Sequence, residues 1–121
     1  MKPVRIEGTV EHGRELGRKL GFPTANLPVG DGLALDDGVY ASTAEVDGIR
    51  YRAMSNLGTN PSVGGGVRRL ETHLFDFEGS LYGRRLCVEL WRKVRDEQRF
   101  ASVDELRAQI EKDREYIAKL R

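Results

Sequence analysis

The stretch Val39-Tyr-Ala-Ser-Thr-Ala-Glu-Val46-Asp47-Gly48-Ile49-Arg-Tyr-Arg-Ala-Met-Ser-Asn-Leu57 holds two runs rich in β-branched and aromatic residues, joined by Asp-Gly. Aspartate and glycine tolerate the positive φ that a two-residue turn demands, so the segment predicts a tight antiparallel hairpin. Working outward, similar runs at Arg5–Glu11, Arg69–Phe77 and Leu86–Val94 are bounded by breaks such as Glu78-Gly79-Ser80 and Tyr82-Gly83. No helical period appears before residue 102, and the first hundred residues read as β.

At Ser102 the period changes. Ser102-Val-Asp-Glu105 is a capping box, in which the serine oxygen and the glutamate each satisfy an orphan amide of a first helical turn. Val103, Leu106, Ile110, Ile117 and Leu120 then form an apolar stripe opposite a charged face, so the helix is expected to lie on the β part. Asp113 falls along that stripe and is expected to be an edge carboxylate bonded to backbone or arginine. Five or six antiparallel strands and one closing helix predict a small, mainly β barrel, because closure removes exposed strand edges.

With 121 residues the chain suits one domain, residues 1–121, with one core. Twenty basic and nineteen acidic side chains nearly cancel, which leaves no strong field for DNA, RNA or a membrane surface. Arg68-Arg69 and Arg84-Arg85 are expected to be solvated strand ends. The single cysteine, Cys87, excludes an internal disulfide and a cysteine metal cluster, and its place in Leu86-Cys-Val-Glu-Leu-Trp91 predicts a buried small hydrophobe. No apolar run long enough to span a bilayer and no signal-peptide core are present, so a cytoplasmic setting is expected.

Residues 12–38 and 57–67 are glycine-rich and longer than the turns of a compact barrel, and long loops in small domains tend to be functional. The first contains His12-Gly13 and Gly17-Arg-Lys-Leu-Gly21-Phe-Pro-Thr-Ala-Asn26. Glycines this dense let backbone amides approach an anion, and Arg18 and Lys19 add charge. Thr24 and Asn26 would share a side of an extended segment, where a hydroxyl and a carboxamide oxygen suit magnesium when a nucleotide completes its shell. Pro-Thr-x-Asn also builds an ordinary turn, and the spacing leaves both readings open. No P-loop or dinucleotide fingerprint is present. In Leu70-Glu-Thr-His-Leu-Phe-Asp-Phe77, alternation sets Glu71, His73, Phe75 and Phe77 against Leu70, Thr72, Leu74 and Asp76, so neither face is plainly solvent. Glu71 is then either a paired structural carboxylate or a base at a pocket wall, with His73 as a buttress.

These residues resemble the ATP-dependent riboflavin kinases of bacteria and eukaryotes. The similarity runs through Gly8-x-Val10, Leu20-Gly-Phe-Pro-Thr-Ala-Asn26, Gly38-Val-Tyr40, Ser55-Asn-Leu-Gly58, Asn60-Pro61, Leu70-Glu-Thr-His73, Asp76-Phe77, Leu81-Tyr-Gly83 and Arg95-x-Glu97 followed by Phe100. The resemblance implies a six-stranded antiparallel Greek-key barrel with a C-terminal helix, and phosphoryl transfer from ATP to the ribityl 5′-hydroxyl of riboflavin, giving FMN. It implies Mg2+ held by Thr24 and Asn26, ATP bound by Gly13, Gly17, Arg18, Gly21, Phe22, Pro23, Thr24 and Asn26, Glu71 as the catalytic base, and flavin contacts from Arg95, Glu97 and Phe100. Pro61-Ser62 and Val94 depart mildly from the family's Pro-Thr and leucine. Many bacterial relatives carry an adenylyltransferase domain ahead of this region. The expectation is accordingly a monomer, or part of a longer protein with such a domain, acting on small molecules without nucleic acid or membrane, and FAD synthesis is not expected. The alternatives are a flavin-binding regulatory barrel without turnover and a nucleic-acid-binding small barrel.

Overall fold

A computed structural model describes residues 1–12, 20–30, 32–60 and 67–120. Six strands, β1 (Val4–Thr9), β2 (Ala25–Pro28), β3 (Gly38–Val46), β4 (Ile49–Asn60), β5 (Val67–Leu74) and β6 (Arg85–Asp96), precede helix α1 (Val103–Lys119). They form one antiparallel sheet in the order β1-β6-β3-β4-β5-β2. Strands β3, β4 and β5 follow one another as hairpins while β6 returns beside β3, which is a Greek key. The sheet nearly closes into a barrel where Glu11 N–H donates to Asn26 O at 2.8 Å, bringing the end of the β1 segment against β2.

The Asp47-Gly48 hairpin is as expected, with φ of 52° and 78°. Strand β2 is a correction, because residues 12–38 read as loop throughout. Four residues containing a proline carry little strand signal, and Ala25–Pro28 is extended because it pairs with β5. Strand β1 stops at Thr9 and not Glu11, β4 runs on to Asn60, and β5 ends at Leu74, after which Asp76 turns the chain at φ 59°. That turn breaks the predicted alternation. Phe75 packs toward the helix, whereas Phe77 packs against the barrel core edge-on to Tyr51, with ring centres 5.3 Å apart.

The barrel interior is filled by Leu27, Leu57, Leu70, Leu86, Val88 and Leu90, all fully buried, around Tyr40. Within it a chain of hydroxyls links three strands: Ser42 Oγ to Ser55 Oγ at 2.8 Å, and Ser55 Oγ to Thr72 Oγ1 at 2.8 Å. A second cluster outside the barrel joins Val39, Ala41, Met54 and Phe75 to Ile117 of α1. This explains why β3 is buried on both faces. The β3–β6 register slips twice, and the residues left without a β3 partner, Trp91 and Val94, both pack on the helix-side cluster.

Ser102 caps α1, its Oγ accepting from Glu105 N at 3.1 Å, while Glu105 reaches back to Ala101 N at 3.1 Å. At the other end Arg52 donates to the carbonyl oxygens of Ile117 (2.7 Å) and Leu120, placing a cation at the negative end of the helix. Three expectations change. Val103 is exposed, because it precedes the turn that meets the barrel. Cys87 is only half-buried, since Leu86, Val88 and Leu90 take the inner face. Arg68 is not solvated: it pairs with Asp37 at 2.9 Å and donates to the carbonyls of Leu33 (2.8 Å) and Leu35, tying down the approach to β3.

Candidate functional site

Strand alternation builds the site. Ala25 and Leu27, Leu57, and Leu70 and Leu74 belong to the interior, so Asn26, Asn56, Glu71 and His73 face the other way. Asn26 is the cross-strand partner of Glu71, and Glu71 that of Asn56. Three polar side chains therefore stand in a row across β2, β5 and β4, with neighbouring Cβ atoms about 5 Å apart.

His73 fixes the segment that enters β2. Its Nδ1 donates to the carbonyl oxygen of Pro23 at 2.9 Å, and its ring meets Phe22 edge-on with centres 5.5 Å apart. Burial pushes the imidazole below its ordinary value of 6.5, against the smaller upward effect of the Pro23 hydrogen bond, which favours a neutral ring. The buttress expected for His73 is thus a direct contact to the Phe-Pro-Thr run.

That run separates two cavities. The first, about 270 Å³, lies between the sheet, α1 and the 95–100 segment. Its walls are mainly apolar, with Leu20, Phe22, Val39, Met54, Phe100, Leu106 and Ile110, and Glu71, Asn56, His73, Arg95 and Glu97 supply polar groups. The second, about 510 Å³, is bordered by Glu11, His12, Pro23, Asn26 and Tyr82. His12 and Tyr82 stack there, with ring centres 3.7 Å apart and 21° between planes. Among the described residues, Thr24 borders both cavities.

Asn26 is 3% exposed, and its Oδ1 is buried with no hydrogen-bond partner among the described residues. A buried acceptor left so is costly in a folded protein unless a ligand completes it. Among the described residues no group of three His, Cys, Asp or Glu side chains could hold a metal. A site for a hard cation would instead use neutral oxygens such as those of Thr24 and Asn26, together with oxygens of a bound phosphate.

The flavin candidates divide. Arg95 is held by Asp113, with Nη2 to Oδ2 at 2.9 Å and Nε to Oδ2 at 3.0 Å, and its guanidinium lies 5.7 Å from the centre of the Phe100 ring. Asp113 is bonded to arginine as expected, but it is buried rather than at the edge of the stripe. Glu97 leans on bare backbone, its Oε1 standing 3.0 Å from where a Cβ on Gly58 would lie. Of the nucleotide candidates, Pro23, Thr24 and Asn26 border the second cavity, Phe22 borders the first and Gly21 neither. Gly13, Gly17, Arg18 and Lys19 lie outside the described residues. Sequence reasoning assigned no role to Asn56, Met54 or the His12–Tyr82 stack. For Asn56 the available signal was an asparagine within a strand, where that residue is disfavoured.

No helix among the described residues is long and apolar enough to cross a membrane. The family model described as Flavokinase: Riboflavin kinase matches residues 1–120. The chain is 49% identical over 114 residues to the bifunctional riboflavin kinase/FMN adenylyltransferase of Escherichia coli K12, covering 92% of this chain and 36% of that protein. It is 42% identical over 115 residues to an RNA-binding riboflavin kinase of Bacillus subtilis, covering 94% of this chain and 50% of that one. The chain thus spans between about a third and half the length of these relatives. The crystal structure of riboflavin kinase from Trypanosoma brucei matches with a TM-score of 0.66 at 20% identity, over 98% of this chain and 79% of that one, which shows a common fold. With the family match running from residue 1 to residue 120 of a barrel of this topology, the chain belongs to the riboflavin kinase family.

Proposed function

We propose that this chain transfers the γ-phosphoryl group of ATP to the ribityl 5′-hydroxyl of riboflavin, giving FMN and ADP. The observation that carries the reading is the meeting of two cavities at Thr24, with Glu71 on the wall of one and its strand partner Asn26 on the wall of the other. A transfer between two bound molecules needs such a junction, because phosphoryl transfer depends chiefly on positioning and charge neutralisation. The first, largely apolar cavity suits the isoalloxazine ring, and Phe22 belongs on that side. The second suits the nucleotide, with Pro23, Thr24 and Asn26 on its wall and the His12–Tyr82 stack offering a flat surface.

In this reading Glu71 accepts the proton of the 5′-hydroxyl as its oxygen attacks the γ-phosphorus, and the bond to the β,γ-bridging oxygen breaks to release ADP. Thr24 and Asn26 would hold Mg2+, and the buried, unpartnered Oδ1 of Asn26 fits that use. When bound, the ion neutralises charge on the phosphate oxygens. Arg95 and Phe100, braced through Asp113, shape the wall over the flavin. The proposal is confined to the kinase activity, with residues 1–121 as one domain; the adenylyltransferase in the relative's name is not carried over.

The test is to mix the chain with riboflavin, ATP and magnesium and to follow FMN and ADP by chromatography, with a metal-free control and Glu71→Gln alongside. Equal amounts of FMN and ADP, requiring magnesium and falling about a hundredfold or more in Glu71→Gln, are expected. Tight flavin binding without FMN would turn the reading to a regulatory flavin-binding barrel. The RNA-binding relative makes oligonucleotides a useful second arm. A chain of net charge +1 is expected to show no salt-dependent RNA binding, and a steep salt dependence would contradict that.

A further inference from the structure

Asn56 has no part in the transfer described above, yet its surroundings are those of a ligand contact. Its Oδ1 is buried and has no hydrogen-bond partner among the described residues, while the residue borders the first cavity. Packing alone does not account for it, since a β-branched residue would serve a strand better. The bare backbone of Gly58, two residues on, makes room beside it for the Glu97 carboxylate. A Cβ there would lie 3.0 Å from Glu97 Oε1 and 3.9 Å from Asn56 Oδ1, so a side chain at position 58 would crowd both groups. A ligand group that reaches Asn56 Oδ1 must bring hydrogen to donate. A phosphate oxygen cannot, and a hydroxyl can.

Position narrows the choice. Asn56 is the strand partner of Glu71, about 5 Å away between Cβ atoms. If the proposed kinase reading holds, with the 5′-hydroxyl at Glu71, a donor one strand spacing away on the same polyol lies one or two carbons further along the ribityl chain. The ring lies beyond that, among apolar walls such as Met54 and Phe100.

We propose that Asn56 Oδ1 accepts a hydrogen bond from a secondary ribityl hydroxyl, 4′ or 3′. That bond sets the 5′-hydroxyl against Glu71, and it makes Asn56 the residue that distinguishes a polyhydroxylated side chain from a plain alkyl one. A site built around a buried acceptor rejects an analogue lacking the donor, because the acceptor is then left unpaired.

The test crosses two proteins with two substrates, steady-state kinetics being measured for wild type and Asn56→Ala. The substrates are riboflavin and a flavin whose N10 chain is 5-hydroxypentyl, which keeps the terminal hydroxyl and lacks the secondary ones. Asn56→Ala is expected to lower kcat/KM for riboflavin about twentyfold and to change it less than twofold for the hydroxypentyl flavin. Equal losses on both substrates would show a structural role and overturn the proposal, as would no loss on either. Should Asn56→Ala fail to fold, Asn56→Thr carries the same comparison with a residue that suits a strand. If wild type leaves riboflavin unphosphorylated, the kinase reading falls and this inference with it. Turnover by wild type with an indifferent Asn56→Ala overturns this inference alone.

Discussion

Arg95 and Asp113 join β6 to α1 through a two-pronged ion pair, with Nη2 at 2.9 Å and Nε at 3.0 Å from Oδ2, and Gln109 donates to Oδ1 at 2.9 Å. Asp113 is nearly sealed, at 4% side-chain exposure, and the Arg95 side chain is at 19%. Removing one partner of such a pair leaves the other charged and poorly solvated. Asp113→Ala is expected to cost about 3 kcal/mol in urea unfolding. It should also raise KM for riboflavin, because Arg95 then no longer holds its place beside Phe100. A loss below about 1 kcal/mol would show that solvent replaces the pair.

Asn26 sets ligand binding against stability. Its buried Oδ1 lacks a partner among the described residues, a defect of about 1–3 kcal/mol. Asn26→Leu, close in volume, is expected to match or exceed wild type in thermal midpoint while losing magnesium-dependent ATP binding by calorimetry. A large drop in midpoint would mean that the carboxamide is needed for the fold itself.

His73 makes stability depend on pH in a known direction. Burial holds its folded value below 6.5, so under acid the unfolded chain takes up the proton more readily. Its contribution is complete above about pH 6.5 and is lost as pH falls from there toward the lower folded value. The urea midpoint of wild type should therefore decline between pH 7 and pH 5 more steeply than that of His73→Gln. Parallel profiles would exclude His73 as the cause.

Gly38 sits where β3 and β6 touch. At φ 155°, a Cβ would lie 2.5 Å from the carbonyl oxygen of Arg95, which is backbone and cannot swing aside. Gly38→Ala should lower stability by more than the roughly 1 kcal/mol typical of point substitutions. It should also disturb the 95–100 wall of the first cavity, visible as weaker flavin binding at temperatures where the variant stays folded.

The hairpin at Asp47-Gly48, the Ser102 cap and the alternation in Leu70-Glu-Thr-His-Leu74 were legible in the chain, because each depends on neighbours a few residues away: the φ a turn needs, the amides a helix start leaves bare, the pleat of one strand. So were Thr24, Asn26 and Glu71 as candidates, through their residue types and spacing. Strand β2 was not legible, since Ala25–Pro28 is extended only by virtue of a β5 that lies more than forty residues away in sequence. For the same reason Asn56 stood as an ordinary strand residue until register set it beside Glu71. Nor could the chain say that Phe77 would turn inward or that Arg68 would be held by the carbonyls of Leu33 and Leu35 and the carboxylate of Asp37. Local geometry is written in local sequence, whereas which polar atoms end up buried without partners is decided by closure of the barrel and the docking of α1. Those partnerless atoms, Asn26 Oδ1 and Asn56 Oδ1, are what give the candidate site its chemistry.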